Sequence, residues 1–175
     1  MSFLSRLFGL ETTRPKQPDD RSTIQNEIER RLVEMPEDRA RYLAAFAGLM
    51  GRVADADQNI SPEEMDRIRQ ILRDWTGLDE KESELVADVI HEQTKALLGL
   101  ENHIYTRIIR EVATREQKTE ILHCLFLVAS ADDEITSVEN EEIRIIAKGM
   151  NLSHEEFIAE RSAFSDKLSV MRKLG

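Results

Sequence analysis

Apolar residues in this chain recur every three or four positions, and no stretch alternates strictly between apolar and polar. The first pattern is that of helices with one buried face, and the missing one is that of half-buried strands. Met65, Ile68, Leu72 and Trp75 form one such stripe, and Leu85, Val86, Val89 and Ile90 form another. Ile104, Ile108 and Val112 make a third, and Phe157, Phe164, Leu168 and Met171 a fourth. Two stretches, YLAAFAGLMGRVA and EILHCLFLVASA, are apolar on most faces. Helices of that kind are buried, so these two are expected at the centre of the domain.

The helix starts are legible. A capping residue followed three positions later by Glu or Gln occurs at Ser22/Gln25, Ser61/Glu64, Asp79/Glu82, Thr114/Gln117, Thr136/Glu139 and Ser153/Glu156. Pro36 and Pro62 suit first-turn positions, and Gly77 and Gly149 sit near helix ends. The pattern predicts an all-α fold of about eight helices, near 22–35, 37–56, 62–75, 79–98, 101–112, 115–131, 137–149 and 153–173. The 41% hydrophobic and 33% charged residues of the 175-residue chain suit one compact soluble domain.

Ahead of that domain, residues 1–10 carry Phe3, Leu4, Leu7 and Phe8 at helical spacing. Residues 11–21 are polar and broken by Pro15 and Pro18, which reads as a linker to a domain spanning 22–175. The apolar segment reads either as an amphipathic foot for a membrane surface or a partner, or as a start that folds back onto the domain. So short a helix binds membrane only marginally without a second signal.

Charge narrows the partners. With 34 acidic against 24 basic residues, the formal net charge is −10. Nucleic-acid binding needs a basic face, so a cation or a basic protein partner is expected instead. The single cysteine, Cys124, cannot form an internal disulfide and suits a reducing compartment. No secretory signal is read at the start, and no apolar run approaches the roughly 20 residues that span a bilayer. A cytoplasmic protein, peripheral at the inner membrane if residues 1–10 act as a foot, is the expectation.

The two central stretches are followed by matching sequence. VADADQNISPEEMDRIRQILR aligns with VASADDEITSVENEEIRIIAK at an offset of 75 residues. Identities include Ala54/Ala129, Asp57/Asp132, Ile60/Ile135, Glu64/Glu139, Ile68/Ile143 and Arg69/Arg144. Each copy reads as a buried helix, an acidic corner, a capping box and an amphipathic helix. A duplication of this kind implies two halves related by a pseudo-two-fold axis.

The corners invite comparison with a calcium-binding EF-hand loop, which places oxygen ligands at positions 1, 3, 5, 7, 9 and 12 and Gly at 6. With Ile60 at position 8, Asp55, Asp57, Ser61 and Glu64 fall on ligand positions, but Val53 stands at position 1 and Gln58 at position 6. The second copy offers Ser130, Asp132, Thr136 and Glu139, with Val128 at position 1. Both copies lack the first carboxylate and the turn glycine, so neither is an ordinary EF-hand. Ser61, Thr136, Glu64 and Glu139 are accounted for by capping. Asp55, Asp57, Asp132, Asp133 and Glu134 are not, because they gather where the helix macrodipole disfavours negative charge. Such conflicts between levels tend to mark functional sites. A divalent cation would resolve it, and so would Asx turns or nearby arginines.

The buried helix, acidic corner and repeated D-x-x-I-[ST]-x-x-E element resemble the tellurite-resistance protein B (TerB) family. The element reads Asp57 to Glu64 and Asp132 to Glu139, and the resemblance covers about residues 25–172. It implies a compact helical domain with a non-enzymatic role in bacterial stress or metal-related resistance. It also implies cation ligands at Asp55, Asp57, Glu64, Asp132 and Glu139; for such oxygen ligands a divalent cation, calcium or magnesium, is the expectation. Ser130 stands where the first copy has Asp55, so the two corners are unequal. TerB-like domains also occur in membrane-anchored DnaJ-like co-chaperones, but this sequence has no His-Pro-Asp tripeptide.

Other chemistry is weakly represented. Asp88/His91 and Glu120/His123 have the spacing of di-iron bundle arms, but such sites need two more inward carboxylates. His91 is expected on a polar helix face and His123 between apolar neighbours. Cys124 is expected to be a small core hydrophobe. No zinc spacing, phosphate loop or nucleophile elbow appears. The sequence therefore points to a non-catalytic binding protein, either a cation binder or a protein-interaction module.

Overall fold

A computed structural model describes residues 23–54, 60–98, 102–132 and 134–168, without the side chains of 23–27, 29, 64, 93–98 and 132. Among the described residues there are eight α-helices and no strands. They are α1 (Thr23–Glu34), α2 (Glu37–Ala54), α3 (Pro62–Trp75), α4 (Glu80–Leu98), α5 (Asn102–Val112), α6 (Arg115–Ala129), α7 (Ser137–Gly149) and α8 (His154–Ser162). Short 3-10 turns follow α6 at Ser130–Asp132 and α8 at Ser165–Lys167. The apolar segment 1–10 and the linker 11–21 lie outside the described residues.

The two stretches that are apolar nearly all round sit in the middle. α2 packs against α1, α4, α5, α6 and α7, and α6 against α2, α3, α7 and α8. From Tyr42 to Gly51 every residue of α2 is buried. The stripes of the outer helices face them: Met65, Ile68 and Leu72 from α3, Leu85, Val86, Val89 and Ile90 from α4, and Ile108 and Ile109 from α5 are all buried. Trp75 departs from its stripe. It closes α3 with 52% of its surface exposed.

Close helix approach explains two glycines. A Cβ on Gly48 of α2 would stand 2.5 Å from the ring of Tyr105, a fully buried side chain of α5. A Cβ on Gly149 of α7 would stand 2.7 Å from the buried Thr106 hydroxyl, also on α5. Gly149 therefore serves packing, while the left-handed residue that ends α7 is Asn151, with φ of 65°. Its neighbour Leu152 donates its amide to the Ala147 carbonyl, closing the helix end.

The capping boxes at Thr114/Gln117, Thr136/Glu139 and Ser153/Glu156 form as the sequence suggests. Asp79 and Glu82 make the same reciprocal pair at the start of α4. Ser22 lies outside the described residues, as does the Glu64 side chain. Replacing Thr136 by Ala orphans the Glu139 amide and is expected to cost about 1 kcal/mol, measured as a shift in the urea midpoint at constant slope.

The last helix is shorter than its sequence pattern. α8 ends at Ser162 because the Ala163 and Phe164 amides turn back to the Glu160 and Arg161 carbonyls, which tightens the chain into 3-10 geometry. That turn drives Phe164 into the core and lays Leu168 beside Ile135, whose amide donates to the Lys167 carbonyl at 2.7 Å. Met171, the last member of the predicted stripe, lies outside the described residues.

Charged clasps tie the periphery together in a matched way. In the first turn of α2, Arg39 forms a bidentate pair with Glu82 of α4, at 2.6 and 2.5 Å. In the first turn of α6, Arg115 pairs with Glu156 of α8 at 2.6 Å. Both glutamates are also the capping-box residues of their helices. At the other ends, Arg67 of α3 donates to the Ala131 carbonyl just past α6, and Glu142 of α7 pairs with Arg52 near the end of α2.

Candidate functional site

The acidic corners lie at the C-terminal ends of α2 and α6. Asp55 and Asp57 fall outside the described residues, as do the side chains of Glu64 and Asp132. Of the five carboxylates implied as cation ligands, Glu139 is the one whose side chain is described. It is engaged in capping: one oxygen accepts from the Thr136 amide at 2.8 Å and from its hydroxyl at 2.7 Å.

The second corner is built around donors. The carbonyls at the end of a helix have no partners within it and carry the negative end of its dipole. At the end of α6 the Ser130 hydroxyl donates to the Leu127 carbonyl at 3.0 Å. The Arg67 guanidinium reaches across from α3 to the Ala131 carbonyl. A positive group thus stands beside the corner that carries Asp132 and Glu134. Ser130, the residue that departs from the first copy, supplies a hydroxyl donor that a carboxylate cannot. Among the described residues, no three His, Cys, Asp or Glu side chains stand close enough to hold a metal.

A second cluster draws its members from three helices and the turn after α8, which local spacing does not reveal. His123 of α6 shares a hydrogen bond of 2.8 Å between Nδ1 and the Glu160 carboxylate of α8. A carboxylate only accepts, so Nδ1 carries the proton. Among the described residues, Nε2 is buried without a partner. The Trp75 ring lies 4.6 Å from the imidazole and that of Phe164 5.3 Å, centroid to centroid. The expected apolar neighbours of His123 are therefore present, together with a carboxylate that the spacing of α6 could not reveal. Glu120, one turn earlier, accepts from the Gly77 amide just past α3, at 3.4 Å.

The remaining chemical candidates have structural roles. His91 is exposed on α4, as expected. Asp88 pairs with Arg31 at 3.4 Å, and burial pushes its carboxyl upward while Arg31 opposes the rise. Burial, aided by the charge of Glu120, pushes the Cys124 thiol up to about 12. Such a thiol is almost wholly protonated at neutral pH and is a poor nucleophile.

No helix among the described residues is long and apolar enough to cross a membrane. No curated protein and no solved structure matches the sequence. The family model of tellurite resistance protein TerB matches residues 43–162, from the core of α2 to the end of α8. The match spans both acidic corners, the second central helix and the first from Leu43 onward, more than two thirds of the chain, and the protein belongs to the TerB family.

Proposed function

We propose that this protein is a non-catalytic binding protein of bacterial stress or tellurite resistance that works through contact with a protein partner. The observation that carries this reading is the second acidic corner. Arg67 and Ser130 answer the exposed carbonyls of α6, and Glu139 is committed to capping, so these three groups have roles without a metal. Burial keeps the Cys124 thiol protonated, which makes it a core side chain rather than a nucleophile. The net charge of −10 favours a basic partner, with salt weakening the complex and chelator leaving it unchanged. A cytoplasmic location, with residues 1–10 as a foot on the membrane or the partner, belongs to this reading.

A divalent cation is the second reading, favoured by the carboxylates set against the helix dipoles at Asp55, Asp57 and Asp132. The first corner, with an aspartate where the second has Ser130, is then the stronger site. Thermal unfolding separates the two. The melt is recorded with chelator, then with millimolar calcium, magnesium, manganese or zinc. A native-state ligand at 100 times its Kd stabilises by about 2.7 kcal/mol. The partner reading expects no selective rise in Tm. A rise with one cation that disappears in the Asp57→Ala, Asp132→Ala double variant reassigns the corners as cation sites.

A further inference from the structure

Trp75 is the only tryptophan of the chain and the largest apolar side chain left half exposed by the fold. One side of it is packed. The ring packs on His123, which Glu160 holds, and the chain just past it is held by Glu120 through the Gly77 amide. The Thr76 hydroxyl closes the last turn of α3 onto the Leu72 carbonyl at 2.5 Å and accepts from the Leu78 amide. An aromatic side chain already held in place loses little conformational freedom on binding, which is why tryptophan dominates interface hot spots.

The surroundings select the occupant. Glu160 and Glu120 approach this ledge from α8 and α6, and the exposed Asp74 precedes Trp75 in α3. Among the described residues, neither Glu120 nor Glu160 has a lysine or arginine at ion-pair distance; Glu160 meets His123 and Glu120 meets a backbone amide. An indole face attracts a cation through its quadrupole, and a planar guanidinium can stack on that face while pairing with a carboxylate at its edge.

We infer that the Trp75 ledge, bordered by Glu120 and Glu160, is the docking point for an arginine-bearing segment of a protein partner. This deepens the partner reading above and rests on it. The net charge of −10 steers such a segment toward the domain, and the ledge gives it a place to bind.

The test uses the full chain and a fluorescein-labelled peptide of alternating Arg and Gly, followed by anisotropy. A Glu-Gly peptide serves as the control. Trp75→Leu keeps apolar packing on His123 and removes the ring face. Glu160→Gln keeps a hydrogen-bond acceptor and removes the charge. Glu84→Gln, exposed on α4, is the control for loss of one negative charge. The expected result is salt-sensitive binding of the Arg-Gly peptide alone, weakened about tenfold by Trp75→Leu and severalfold by Glu160→Gln. Glu84→Gln is expected to leave it unchanged, and all variants should melt near the wild-type temperature. Binding that is equally tight in wild type and Trp75→Leu overturns the ledge and leaves an acidic-surface partner reading standing. No salt-sensitive binding by the wild type overturns both. If Trp75→Leu melts early, quenching of Trp75 fluorescence in the wild-type chain decides, and an emission unchanged at peptide saturation overturns the ledge.

Discussion

Phe126→Ala is expected to destabilise the domain by about 3–5 kcal/mol. Phe126 is fully buried in α6 and meets two aromatic rings from the C-terminal end of the chain. It stacks on Phe164 at 5.4 Å with 19° between the planes and lies 5.8 Å from Phe157. Removing it forfeits transfer energy and leaves a void that two rigid rings cannot collapse to fill. For a chain of this size, the loss should lower Tm by about 10 °C. Phe126→Leu keeps most of the volume and should cost far less. Phe164 also touches His123, so the alanine variant should change the fluorescence of Trp75 in the folded state. An alanine variant that unfolds at the wild-type urea midpoint would mean that α8 and its following turn are not docked on α6 as described.

That junction also shows where the sequence was readable. Phe157 and Phe164 are seven residues apart, and their shared stripe correctly placed both in the core. The stripe also suggested a helix continuing to about residue 173, whereas α8 ends at Ser162. Periodicity records which positions face the core and is silent on whether the backbone tightens between them. Here a 3-10 turn keeps Phe164 and Leu168 inward without a helix. Trp75 failed in the opposite sense. It falls on the apolar stripe of α3 but occupies its final position, where the neighbouring helix surface gives way to solvent. A stripe gives direction around a helix axis, not how far along that axis the core extends.

The candidate site divides along the same line. Local hydrogen bonds such as Thr136 with Glu139 span three residues and are visible in a capping motif. The donor that Arg67 brings to Ala131 crosses 64 positions, and the contact of His123 with Glu160 crosses 37. Nothing in local spacing carries those. The unequal residue at Ser130 was visible in the repeat, but its use as a donor to Leu127 depends on α6 ending in a 3-10 turn. The repeat thus located the corners, and tertiary structure decided what the second one contains.

Gly48→Val is expected to cost about 3 kcal/mol, and most of that cost should vanish when Tyr105 is made smaller. Glycine inside a helix is ordinarily a liability of about 1 kcal/mol relative to alanine. Helix propensity alone therefore favours replacing it. The packing at this position opposes that preference. The nearest atoms to a Cβ on Gly48 are three ring carbons of Tyr105 at 2.5–2.8 Å, and that ring is fully buried. A rigid ring cannot yield as the tip of a flexible chain would, so α2 and α5 must separate or the ring must leave its rotamer. Val adds two methyl groups to the clash and gains little in propensity. In a Tyr105→Leu background the obstructing ring is absent, and the valine enters space that the ring had filled. The double-mutant cycle should therefore show a favourable coupling of about 1–3 kcal/mol, read from urea midpoints of the four proteins. Additive losses would mean that Gly48 is kept for a reason other than the approach of α5. A favourable coupling establishes contact between the helix leading to the first acidic corner and the helix that carries Thr106 against Gly149 at the end of α7. A change at either contact would then be felt along α5 at both α2 and α7.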